Sequence, residues 1–183
     1  MQENKNISVM GRVLRLLPMI FVMTTIFIFS MAPAEKSAGT SGGILAVIVD
    51  LLEKMTATTF SAEALDIMHT LLRKSAHIME YAILGATVVF AFYPEISDFV
   101  SSRSDGASPA DCGRSPLFIT IPLAVSALYS ASDEIHQLFV PGRSGEVLDV
   151  IIDSCGALIG ILITKSVFRR RKKILNNEMQ RMS

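Results

Sequence analysis

The sequence predicts an all-α membrane protein of about four transmembrane helices with an extracytoplasmic amphipathic helical segment. Three observations predict it. Half of the 183 residues are hydrophobic and only 19% are charged, where a soluble domain carries about a quarter. The apolar residues are gathered into long runs. The ionisable residues inside those runs stand at one end of each. The length suits one modest domain, and a formal net charge of zero gives no electrostatic footprint for nucleic acid. Cys112 and Cys155 lie in a polar loop and an apolar helix, with no metal-ligand spacing, and read as free thiols.

The amino-terminal region, residues 1–32, carries the first span over 16–32, preceded by Lys5, Arg12 and Arg15. A cleaved signal peptide is the rival reading. The run is long for a signal core, and Pro33 between Ala32 and Ala34 suits a peptidase poorly, so the helix is read as retained. Residues 33–74 form an extracytoplasmic connection. A Gly/Ser/Thr break is expected over 39–43, followed by an apolar stretch at 44–55 with Asp50, Glu53 and Lys54 interspersed. That stretch is too short to span and suits the membrane interface. Ser61 is placed to N-cap a helix with Leu65, Met68 and Leu72 on one face, running on toward the second span.

The helical core covers residues 75–168. Its first span is 76–93. Residues 94–116, rich in Ser, Asp, Gly and Pro, read as a flexible cytoplasmic loop. The next span, 117–139, has a strongly apolar part of only 13 residues and contains Pro122, which would bend it. A re-entrant helix has that length too, but the segment is counted as a span. The last span is 148–168, and a basic cytoplasmic tail fills 169–183. With four spans both termini share a side. Twelve of the 17 Lys and Arg then fall on that side, seven of them at the carboxyl end, and the positive-inside rule makes it the cytoplasm. The basic tail needs no role beyond anchoring this topology.

Ionisable side chains inside a membrane are costly, about 2.5–3.5 kcal/mol each at helix centre, and mark functional candidates facing the bundle interior. In the predicted topology His77 and Glu80, then Asp133, Glu134, His136 and Gln137, then Asp149 and Asp153 all reach the outer level. Ser126, Tyr129, Ser130, Asp133, His136 and Gln137 follow helical spacing along one stripe, as do Asp149 and Asp153. His77 lies one turn from Glu80 and Tyr81. Gly156 and Gly160 continue the face of Asp153 at a spacing that lets helices approach closely. Arg143, in a tight turn over 140–145, would hang over the cluster. There it could neutralise carboxylates or clamp an anionic ligand group. Such a set could perform acid–base chemistry. It could bind a divalent ion, although no HExxH-type spacing occurs. It could also simply lock the helices together through hydrogen bonds. Glu134 points roughly 100° away from Asp133 and should have different partners.

Two segments, RKSAHIMEYAILG over 73–85 and DEIHQLFVPGRSG over 133–145, resemble the two motifs of the VanZ-like family. Asp149 and the run from Gly156 to Gly160 continue the pattern, so the resemblance covers about residues 70–165 and leaves out the first helix and the tail. It implies a bacterial cell membrane, multi-pass topology and a cell-envelope role, the family being named for a protein associated with antibiotic resistance to the glycopeptide teicoplanin. It supplies no accepted catalytic mechanism and implies no cofactor or metal. By motif position Lys74, Tyr81, Gln137, Arg143 and Asp149, and by its place in the cluster Asp153, become candidates for binding. His77, Glu80, Asp133, Glu134 and His136 become candidates for catalysis, and Gly85, Gly156 and Gly160 for helix packing. One departure is visible: Asp153 stands where the family usually has Asn. The partners expected are the lipid bilayer and a lipid-linked cell-wall precursor or glycopeptide. A hydrolase or transferase acting on a lipid or polyprenyl-phosphate substrate is the competing reading, with no GxSxG-type nucleophile motif to carry it.

Overall fold

The protein is described by a computed structural model covering residues 9–103, 113 and 115–182. Cys112 and most of the expected loop tip lie outside the described residues. Five helices follow in order: α1 (Val9–Ser30), α2 (Ala34–Thr56), α3 (Ala62–Arg103), α4 (Leu117–Gln137) and α5 (Val147–Met182). No strand occurs among the described residues.

Three helices carry stretches long and apolar enough to cross a membrane: Met10–Ser30, Ala62–Arg103 and Val147–Arg170. The fourth expected span, α4, does not reach that measure. Pro122, Ser126, Ser130, Asp133, Glu134 and Gln137 are all buried on it, and this polar inward face lowers its apolar content.

Local chemistry sets the element boundaries. The Ser61 hydroxyl caps α3 by accepting from the Ala64 amide at 3.2 Å, and Glu63 favours the positive end of the helix dipole. Helix α3 then runs unbroken into the span. It also runs past Pro94 to Arg103, so the first part of the expected 94–116 loop is helical. Buried Ile96 and Ser97 hold this extension against the bundle, which offsets the backbone bond that Pro94 removes. The expected break over 39–43 is also helical, inside α2. That helix ends at Ala57, whose left-handed backbone (φ 53°) lets its amide reach Glu53 O at 2.8 Å. The tail is helical as far as Met182.

The seam between α3 and α5 organises the bundle. Gly85 lies against the backbone of Ala157, Gly156 against Ile78, and Gly160 against Ala82. A Cβ at any of the three would collide with the facing main chain. Small residues here bring the two backbones together, the main source of helix affinity where lipid is the solvent. Side-chain pairs fix the directions. Phe118, near the start of α4, meets Tyr93 of α3 and Phe168 of α5 in edge-on ring contacts at 6.2 and 6.4 Å. At the other end, Ser130 and Asp133 of α4 reach Asp153 of α5 and Ser30 of α1. Thus α3 and α5 run one way, and α1 and α4 the other. The bundle has an aromatic end and a polar end.

A polar cluster at one end of the bundle

Four helices, α1, α3, α4 and α5, deliver the polar side chains at this end. Asp133, only 3% exposed, accepts at Oδ2 from the Ser30 hydroxyl (2.7 Å) and from the Gln137 side-chain amide one turn away (3.2 Å). Asp153, 1% exposed, accepts at Oδ2 from the Ser130 hydroxyl at 2.7 Å. Its second oxygen faces His77 Nδ1 at 3.8 Å, too far for a hydrogen bond. Lys74 closes one side by pairing with Asp149 at 2.6 Å, both half-buried. Glu134 points elsewhere than Asp133 and accepts at Oε2 from the Glu146 amide at 2.9 Å, satisfying a donor at the start of α5. Glu80 lies within electrostatic reach of both Asp133 and Arg143.

Besides the Ser30 bond, two further contacts tie α1 into the cluster. Tyr129 donates its hydroxyl to Met23 O at 2.5 Å, and His136 stacks at 4.8 Å on Phe27. Arg143 lies within electrostatic reach of Asp133, Glu134 and Glu80 and also serves the chain's own backbone. Its Nε donates to Ala32 O at 3.0 Å and its terminal nitrogen to Phe29 O at 3.3 Å, so it caps the carbonyl end of α1. It is positioned by the turn Val140-Pro141-Gly142-Arg143, closed by Arg143 N to Val140 O at 3.1 Å. Gly142 there takes φ 75°, which an L side chain resists. Half-burial pulls the Arg143 pKa down and Arg73 adds to the pull, while Asp133, Glu134 and Glu80 oppose it. The guanidinium stays charged at any ordinary pH.

The cluster is under-satisfied. Among the described residues seven buried side-chain polar atoms lack a hydrogen-bond partner, and five belong here: His77 Nδ1, Tyr81 Oη, Asp133 Oδ1, His136 Nε2 and Asp153 Oδ1. Native interiors leave few such atoms, and each costs about 1–3 kcal/mol. Tyr81 is fully buried and within electrostatic reach of both Asp133 and Asp153, so the orphaned atoms of His77, Tyr81, Asp133 and Asp153 share one region, while His136 stands against Phe27. Among the described residues no three His, Cys, Asp or Glu side chains form a group able to hold a metal ion.

The structure therefore brings His77, Tyr81, Asp133, Gln137 and Asp153 into one interior. Lys74 and Asp149 stand at its side, and Glu134 and Arg143 serve the chain's own backbone. Gly85, Gly156 and Gly160 form the seam beneath. Sequence reasoning missed Ser30. Its only signal was a small polar residue ending an apolar run, one helical stretch away from any acidic group. It also missed the pairing of Ser41 with His69 at 2.7 Å, which fastens α2 to α3.

A family model described as VanZ/LLP1 matches residues 15–169. The match begins near the start of α1, whereas the motif resemblance reached only 70–165. The first helix thus belongs to the family pattern, in keeping with the bond from Ser30 to Asp133. No curated protein and no solved structure matches the chain.

Proposed function

The chain belongs to the VanZ/LLP1 family, and on that footing we propose that it is a multi-pass bacterial cell-membrane protein whose polar cluster opens outward and binds an envelope amphiphile. The candidates are a lipid, a lipid-linked cell-wall precursor or a glycopeptide such as teicoplanin. The observation that carries this reading is the set of five orphaned polar atoms on α3, α4 and α5. Groups that are buried yet unpaired are costly to keep unless a polar guest completes them.

Four spans, with both termini in the cytoplasm, suit this reading. Helix α4 is 21 residues long, about 32 Å at 1.5 Å per residue, close to the hydrocarbon thickness of about 30 Å. Its contacts run from Phe118 at the aromatic end to Asp133 at the polar end. The bias of Lys and Arg toward the aromatic end and tail supports the polar end facing out. The test is a deletion strain challenged with glycopeptides and complemented by wild type and by His136→Ala. Altered sensitivity restored by wild type alone supports an envelope role through the cluster. Unchanged sensitivity in every strain removes the resistance component.

A second reading, a hydrolase or transferase acting on a lipid or polyprenyl phosphate, is favoured by one observation. A serine hydroxyl, a buried carboxylate and an imidazole stand in a row as Ser130, Asp153 and His77. If alanine at His77, Asp133 and His136 leaves the cellular phenotype intact at normal protein levels, that reading fails.

A further inference from the structure

The guest's chemistry can be narrowed from what the cluster leaves unpaired; the step rests on the binding reading above. Two of the orphaned atoms are carboxylate oxygens on almost fully buried residues, Asp133 Oδ1 and Asp153 Oδ1. The other oxygen of each is held by neutral donors alone: Ser30 and Gln137 for Asp133, Ser130 for Asp153. None of the neighbouring cations bonds to either carboxylate, although the charge of Arg143 acts on Asp133 and Arg73 stands exposed nearby. Lys74 is spent on Asp149, and Arg143 bonds to the carbonyls of Phe29 and Ala32. His77 faces Asp153 at 3.8 Å without a hydrogen bond. Two buried carboxylates are thus left without a bonded cation, with Glu80 adding a further acidic group nearby.

Buried charges are paired or strongly disfavoured. A phosphate or carboxylate placed here would meet like charge in a poorly screened site, so the cluster selects against anions. We propose that it receives a primary ammonium group carried by a membrane-anchored amphiphile, with the ammonium donating to Asp133 Oδ1 and Asp153 Oδ1. An ammonium supplies three N–H donors and a positive charge, which are the two things this interior lacks. The depth fits. With the polar end outward as proposed above, Asp153 lies six residues into α5, about 9 Å along the axis from the helix start, where a headgroup amine can reach it from the outer face. The same chemistry occurs in an aminated lipid headgroup and in a lysine-type side chain on an anchored precursor.

The test uses full-length protein in detergent, with calorimetric titration of short-chain phosphatidylethanolamine, phosphatidylcholine and phosphatidylglycerol. The three share a phosphodiester and differ in the terminal group: an ammonium, a trimethylammonium without N–H, and a neutral diol. N-dodecanoyl-lysine amide is the probe for the side-chain source. Binding of at least one amine probe about tenfold tighter than the trimethyl and glycerol lipids upholds the proposal, and which amine wins identifies the source. Asp153→Asn and Asp133→Asn, which preserve shape, should each remove about tenfold of that preference. Equal binding of all probes, or preference for phosphatidylglycerol, overturns the amine assignment and leaves the amphiphile-binding reading standing. Binding of none overturns both. The wild-type series alone decides the matter if either variant fails to fold.

Discussion

The same three helices, α3, α4 and α5, are joined by opposite chemistry at their two ends. At the aromatic end Tyr93, Phe118 and Phe168 meet edge-on over Val89, Ile96 and Ile161. The rings pack by shape, with Lys165 over the face of Phe118 at 5.8 Å from its centroid. At the polar end Ser30, Asp133, Ser130 and Asp153 make only part of the hydrogen bonds they are capable of. Among the described residues five of the seven buried polar atoms without a hydrogen bond stand at the polar end, and two, Arg15 Nη2 and Ser101 Oγ, toward the other. A bundle glued at one end and at its glycine seam can tolerate an incomplete site at the other, and the incompleteness is where a ligand gains affinity.

Substitutions at the seam, which both ends share, should cost most. Gly160→Val drives a side chain into the Ala82 backbone, and overpacking of this kind costs about 3 kcal/mol. Thermal unfolding of the purified protein should show a large fall in Tm, and binding should be lost with it. Next comes the aromatic end. Phe118→Ala removes the ring that touches both Tyr93 and Phe168. In lipid only packing is forfeited, so about 2 kcal/mol is expected, below the usual cost in a water-excluded soluble core. Titration should show ligand binding unaffected in the folded fraction; a weakened site would mean the two ends are not independent.

At the polar end the order reverses. Ser30→Ala breaks a buried bond to Asp133 and should cost about 1 kcal/mol, while weakening binding several-fold. The smallest stability effect is expected from Tyr81→Phe. The Tyr81 hydroxyl lies beside Ser130 without a well-aligned hydrogen bond, so its removal should change stability by less than about 0.5 kcal/mol. Affinity should nonetheless fall several-fold, because the hydroxyl is one of the groups a guest would complete. A Tyr81→Phe protein that is clearly destabilised would show that the hydroxyl is bonded within the protein.

The sequence made the polar end legible because depth in a bilayer can be read from position along an apolar run. His77, Asp133 and Asp153 are each near one end of such a run, and alternating helix directions bring those ends together. Side-chain partners were less legible. Asp133 bonds to Ser30, which is 103 residues away in the chain, and no local pattern encodes that choice. Arg143 looked like a ligand group because its charge was visible, whereas the carbonyls it caps, at the end of α1, belong to every residue and mark no sequence. Pro94 and the glycines at 39–43 looked like stops because local propensity argues for stopping there. Tertiary packing of Ile96 and Ser97 carries α3 past Pro94. Between Gly39 and Gly42 the helix is fastened by Ser41, which pairs with His69 of α3 at 2.7 Å.

The most direct measurement is a high-resolution experimental structure of the protein in a lipid nanodisc, read at Asp133 Oδ1 and Asp153 Oδ1. Non-protein density within hydrogen-bonding distance of both oxygens is the expected result. Side chains of the protein itself closing on those two oxygens, with His77 and Tyr81 bonded among them and no room left for a guest, would contradict a binding site at this end.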